Sequence, residues 1–88
     1  MKTEFKGSFI KDVKKIKSGK LKQQLLDVIA HIETSKNLSE LENVKKLRGA
    51  ENYYRIRIGS YRLGLKVVND VVFVIRFMDR KDIYRYFP

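Results

Sequence analysis

The chain has 88 residues, with 20 Lys and Arg against 10 Asp and Glu, no cysteine, and a hydrophobic fraction of 43%. That length carries one domain over residues 1–88, the apolar content excludes a disordered chain, and the lack of cysteine excludes disulfides and thiolate-bound zinc. The net charge of +10 favours a polyanionic partner, and the excess sits in residues 44–88, with 11 basic and 4 acidic side chains.

Thr3–Phe5 suits a short strand ended by Gly7. Ser8 is placed to cap a helix that carries Phe9, Val13 and Ile16 at helical spacing, with Ser18-Gly19 as its stop. From Lys20 to about Thr34, Leu21, Leu25, Val28, Ile29 and Ile32 form one apolar stripe, the pattern of an amphipathic helix. The segment from Ser35 to Gly49 reads as a connector in which Leu38, Leu41, Val44 and Leu47 pack a turn or two.

The apolar period then changes from helical to two. Tyr54, Ile56 and Ile58 share one strand face, and Tyr53, Arg55 and Arg57 share the other. Gly59-Ser60 is a two-residue hairpin turn, after which Tyr61, Leu63, Leu65 and Val67 alternate with Arg62, Gly64, Lys66 and Val68. A second tight turn at Asn69-Asp70 leads into "VVFVIRFM", a strand apolar enough to be interior, and "DRKDIYRYFP" closes the chain as a turn of helix or a tail. The expected fold is α+β, with an N-terminal helical hairpin on one face of a mostly antiparallel twisted sheet. The arginines point to the other face.

Arg55, Arg57 and Arg62 therefore lie within about 7 Å of a neighbour across or along the hairpin. At that distance like charges repel by about 1 kcal/mol or less in water, so a solvated cationic face is affordable. As a cluster, guanidinium forks match phosphate oxygens, and the aromatic side chains of Tyr53, Tyr84, Tyr86 and Phe87 suit base stacking. Lys45, Lys46, Arg48, Lys66, Arg76 and Lys81 extend the basic surface and are expected to contact RNA. No His, Cys, Asp or Glu set has metal-ligand spacing, and no Gly-rich phosphate loop precedes a helix. The sole histidine, His31, falls in the second helix, away from the arginines. No apolar run reaches the ~20 residues of a membrane span and Met1–Lys17 lacks a signal-peptide core, so a cytoplasmic protein without membrane contact is expected.

Taken together, "KLRG" (46–49), "YRIRIGSYRLG" (54–64) and "DRKDIYR" (79–85) resemble the RelE/ParE superfamily of toxins from type II toxin–antitoxin modules. The resemblance covers nearly the whole chain, through the order and spacing of these motifs. It implies a ribosome-dependent, metal-independent mRNA endoribonuclease without a small-molecule cofactor, held inactive by a cognate antitoxin. The alternatives are a ParE-like inhibitor of DNA gyrase and an inactive RNA- or antitoxin-binding module. Matched by motif, the catalytic positions of RelE-type members fall on Arg55, Arg57, Arg62, Arg80 and Tyr84. The resemblance implies that Arg62 grips the scissile phosphate, Arg55 and Arg57 stabilise charge, Arg80 assists the leaving group, and Tyr84 acts as base or stacking platform. Asp79 stands where many relatives carry His or another base, which predicts an anion beside the phosphate site unless Arg76 or Arg80 neutralises it.

Overall fold

The computed structural model describes residues 1–88. In chain order the elements are β1 (Lys2–Phe5), α1 (Gly7–Lys14), α2 (Gly19–Thr34), β2 (Val44–Lys46), β3 (Tyr53–Ile58), β4 (Tyr61–Val68), β5 (Val71–Asp79) and α3 (Arg80–Tyr86). They build one five-stranded sheet in the order β1-β5-β4-β3-β2. β1 runs parallel to β5, and the other three pairings are antiparallel. The expected α+β architecture is therefore the observed one, and β5 is interior.

Strand alternation builds the core. Ile56, Ile58, Leu63, Leu65, Val72, Val74 and Phe77 are buried on one sheet face, where Phe9, Ile16, Leu25 and Ile32 join them from the helical side. Each such side chain contributes about 1.5–3 kcal/mol when fully buried, which outweighs the modest helix propensity of the short α1. The two tight turns have the backbone their residues demand. Gly59 takes φ +59°, and Asn69 and Asp70 take +49° and +64°, the conformations of Gly-X and type I′ hairpin turns.

Several local expectations change. Lys6, not Ser8, occupies the N-cap of α1, without a side-chain hydrogen bond. The Ser8 hydroxyl instead donates to the Ile75 carbonyl at 2.6 Å. The reason lies in the sheet: β1 pairs with β5 only as far as Phe5↔Val74, so the edge of β5 beyond that point needs other partners. Ser8 supplies one, and the Asp12 carboxylate supplies the next by accepting from the Phe77 N–H at 2.9 Å. α1 ends at Lys14, one turn earlier than its apolar spacing suggests, although Ile16 is still buried. Ser18 caps the start of α2, its hydroxyl accepting from the Leu21 N–H at 3.2 Å.

The connector also contains a strand. Val44–Lys46 pairs antiparallel with Tyr54–Ile56 and forms the sheet edge next to the arginines. At the other end of the chain, Arg80–Tyr86 is helical, with the Asp79 carboxylate accepting from the Lys81 N–H at 2.9 Å as its N-cap. No helix is long and apolar enough to cross a membrane.

Candidate functional site

The hairpin of β3 and β4 sets the site. Its register places Arg57 directly opposite Arg62, and Arg55 opposite Gly64. β2 adds Lys45 opposite Arg55. Because Ile56, Leu63 and Leu65 are locked into the core, alternation forces these cations to the opposite face; slipping the register would bury them.

Arg62 is the centre of this group. One terminal nitrogen donates to the Gly59 carbonyl at 3.0 Å and the Tyr61 carbonyl at 2.9 Å, which folds the guanidinium back over the hairpin tip. Its Nε is buried without an acceptor, as is the Nε of Arg55. Burial, then the charge of Arg55, holds the Arg62 guanidinium below the ordinary arginine range; Arg57 and Arg80 push the same way, and Tyr84 opposes them. Arg55, Arg57 and Arg62 line one cleft, and Arg55 and Tyr84 line the next. Buried N–H groups lacking acceptors beside mutually repelling cations favour an anionic neighbour.

Arg57 is steered by a residue that sequence reasoning missed. Asn43, at φ +62°, accepts from the Arg57 backbone N–H at 3.1 Å through its carbonyl and from the guanidinium at 3.3 Å through its side chain. The signal available was an asparagine just before a possible edge strand, where a left-handed conformation is most accessible.

Two shallow clefts meet at Arg55. One, of about 300 Å³, lies over Asn43, Lys45, Arg55, Arg57 and Arg62. The other, of about 360 Å³, lies between Lys45, Arg48, Arg55, Tyr84 and Phe87. Cations floor the first, and aromatic rings partly wall the second. Tyr84 is 62% exposed at its edge.

The C-terminal segment is fastened here by an aromatic lock. The Phe87 ring lies on Gly64, so close that a Cβ there would meet three ring carbons at 2.9 Å. The Tyr53 ring meets Phe87 edge-on at 5.5 Å between centroids. Gly64 leaves a gap in the cationic face that the chain's own Phe87 fills, and Phe87 is accordingly buried rather than free to stack.

The remaining basic residues separate into groups. Lys45, Arg48 and Lys66 accompany the cluster, with the Lys66 ammonium 5.2 Å from the Tyr53 ring centroid. Lys46 pairs with Tyr54 and so alternates toward the helix side, though it reaches the rim of the second cleft. Lys81 is exposed on α3. Arg76 is bound elsewhere: it makes a fork of hydrogen bonds to Asp12 at 2.8 and 3.0 Å, the one side-chain ion pair of the protein. Its guanidinium also lies 5.9 Å from the Tyr86 ring. Asp79 does not oppose the arginines. It pairs with Tyr61 on the helix-side face and caps α3.

The assembled face holds guanidinium groups, ammonium groups and one accessible phenol, with no Asp or Glu lining either cleft. It suits a phosphodiester, with cations for the phosphate and a ring for a base.

Comparison with known proteins agrees with this fold. The family model described as the ParE toxin of type II toxin–antitoxin systems matches residues 3–84. The toxin RelE3 of Methanocaldococcus jannaschii is 39% identical over 89 residues, covering 100% of both chains. Among solved structures, the chain is similar to one in the RelB–RelE antitoxin–toxin complex from Methanococcus jannaschii, with 38% identity, a TM-score of 0.81, and coverage of 96% of this chain and 98% of that one. It is also similar to a chain of the intact E. coli RelBE complex, at 28% identity and a TM-score of 0.64, covering 89% and 94%.

Proposed function

The chain belongs to the RelE/ParE family of type II toxin–antitoxin toxins, and from that premise we propose that it is a ribosome-dependent mRNA endoribonuclease, a single catalytic domain over residues 1–88 acting in the cytoplasm. The observation that carries the reading is a shared placement: Arg55, Arg57 and Arg62 line one cleft, Arg55 and Tyr84 line the adjoining one, and the Arg80 N–H is bonded to Ser60 at the hairpin turn. A docking surface for another protein has no need to gather these groups around one half-buried guanidinium whose Nε lacks an acceptor.

The chemistry follows from the arrangement. The RNA 2′-hydroxyl loses its proton and its oxygen attacks the adjacent phosphorus. The bond from phosphorus to the 5′-oxygen breaks, and that oxygen takes up a proton from water, leaving a 2′,3′-cyclic phosphate and a 5′-hydroxyl. Arg62 grips the phosphate from the hairpin tip. Arg55 and Arg57 stabilise the charge that builds on the nonbridging oxygens, in general the largest catalytic contribution. Arg80 faces the leaving oxygen, and Tyr84 accepts the 2′ proton or stacks on a base so that attack is in line. Arginine stays protonated, so none of the four serves as the base. The ribosome holds the message in an extended path and supplies the orientation that an open, shallow face lacks. No metal or cofactor takes part in this scheme.

The partner that silences such a face is an antitoxin with acidic or amphipathic segments, consistent with relatives solved as RelB–RelE complexes. Cleavage of message on programmed ribosomes by wild type, Arg62→Ala and Tyr84→Phe tests the reading. Both variants should bind ribosomes and cut at least ~100-fold more slowly, the scale of losing one preorganised donor or a positioned acid–base group. Ribosome binding without cleavage by the wild type would leave a binding module.

A further inference from the structure

We infer that Phe87 is a positioning residue: seated on Gly64, it holds Tyr84 over the arginine face. The inference rests on the nuclease reading and adds a residue that neither motif nor charge singles out.

α3 has only seven residues, Arg80–Tyr86, and a helix that short does not hold itself in water. Its own polar side chains do not anchor it, since Tyr84 and Tyr86 are 62% and 54% exposed. Its start is fixed by the Asp79 cap and by the Arg80 N–H, which donates to the Ser60 carbonyl at 2.9 Å. Beyond that, two buried side chains fasten it, Ile83 and Phe87. They stand four residues apart on one side of the helix, and the Phe87 N–H closes the last turn on the Ile83 carbonyl at 2.8 Å. Neither belongs to the main core cluster between helices and sheet. Tyr84 follows Ile83 directly, so both ends of its turn are pinned while its ring stays free.

Gly64 makes the seat possible. It lies opposite Arg55 on β3 and opposite Arg76 on β5, in the middle of the cationic face. The Phe87 ring occupies the volume a side chain would fill, and any Cβ would press on it at 2.9 Å. The face therefore carries a glycine where a cation would fit, and the segment bearing Tyr84 docks through that vacancy. A shift of 1 Å in a reacting group costs on the order of 100-fold in rate, so loosening this contact should act on the chemical step more than on binding.

The test compares wild type with Phe87→Ala, Phe87→Leu, Gly64→Ala and the Gly64→Ala/Phe87→Ala pair on ribosomes programmed with a defined message. Ribosome affinity, single-turnover cleavage rate and thermal midpoint are read separately, and NMR relaxation of the Tyr84 ring reports its order without reference to activity. Phe87→Ala should slow cleavage on the order of 100-fold while affinity stays within about 3-fold. Phe87→Leu should restore most of the rate. Gly64→Ala should slow cleavage, and the pair should be no slower than Phe87→Ala alone, because the ring that clashes is gone. Should Phe87→Ala fail to fold, the same inference is decided by Gly64→Ala and Phe87→Leu. Unchanged cleavage and an equally ordered Tyr84 ring in the folded variants would overturn the assignment. A wild type that does not cut would refute the nuclease reading instead, and the positioning claim would then stand or fall on the Tyr84 ring.

Discussion

Arg57 and Arg62 face each other directly across the β3–β4 hairpin, a like-charge pair at the point where the two strands turn. Such pairs destabilise a sheet, and here Arg55 and Arg80 add to the repulsion at Arg62. Because the folded state depresses the Arg62 guanidinium, its charged form is disfavoured by folding at every pH below that depressed value, and the penalty is relieved only above it. No stability transition from Arg62 is therefore expected near neutrality. Arg62→Gln should leave unfolding stability within about 1 kcal/mol of wild type and abolish cleavage. Added salt should raise the thermal midpoint of wild type more than that of Arg62→Gln. Thermal melts from 0.05 to 0.5 M salt check both.

Asp12 should matter far more to folding than any of the cluster arginines. Its carboxylate is 5% exposed and serves Arg76 and the Phe77 N–H together. Asp12→Ala leaves a half-buried guanidinium and a sheet-edge donor unpaired, at a cost of about 2–4 kcal/mol. Urea titration should show a lower midpoint with an unchanged slope.

The basic residues should divide by salt dependence. Lys45→Ala removes a cation beside Arg55 and should reduce the slope of log affinity for single-stranded RNA against log salt by about 0.7. Arg76→Ala should leave that slope unchanged and lower the thermal midpoint, since Arg76 is held by Asp12. An equal loss of slope in both variants would place Arg76 among the RNA contacts after all.

Asn43 separates backbone from side chain. Asn43→Gly keeps the left-handed conformation at φ +62° and removes only the bond to the Arg57 guanidinium. It should fold as wild type does and lose a few-fold in cleavage rate, a small effect set by one exposed hydrogen bond. Single-turnover cleavage at saturating ribosomes measures it.

The hairpin, the helical pair and the cationic face were legible because each repeats a period. Tyr54, Ile56 and Ile58 against Arg55 and Arg57 admit only one assignment once one face is buried. Where a single contact decides, periodicity is silent. Val44–Lys46 is a three-residue strand with two lysines and acquires its identity from pairing with Tyr54–Ile56. Ser8 suits a cap in isolation, but the unpaired edge of β5 competes for its hydroxyl and wins. Arg76 looked like one more cation until the fold brought α1 against β5. Asp12 did carry a trace, since it falls three residues after Phe9 on the apolar side of α1. Asp79 was expected beside the phosphate site, yet strand parity turns it to the other face and α3 uses it as a cap. Nothing in the spacing of Gly64 and Phe87 announces that they touch.

The central claim is that this face cuts message on the ribosome. Its most direct test is to induce the protein in bacteria, map mRNA 5′ ends across the transcriptome, and score gyrase-linked DNA breaks in the same cells. The account predicts new 5′ ends confined to translated regions, absent with Arg62→Ala and Tyr84→Phe, and no rise in DNA breaks. Intact messages accompanied by gyrase-linked breaks would contradict it and make the arginine face a docking surface for gyrase.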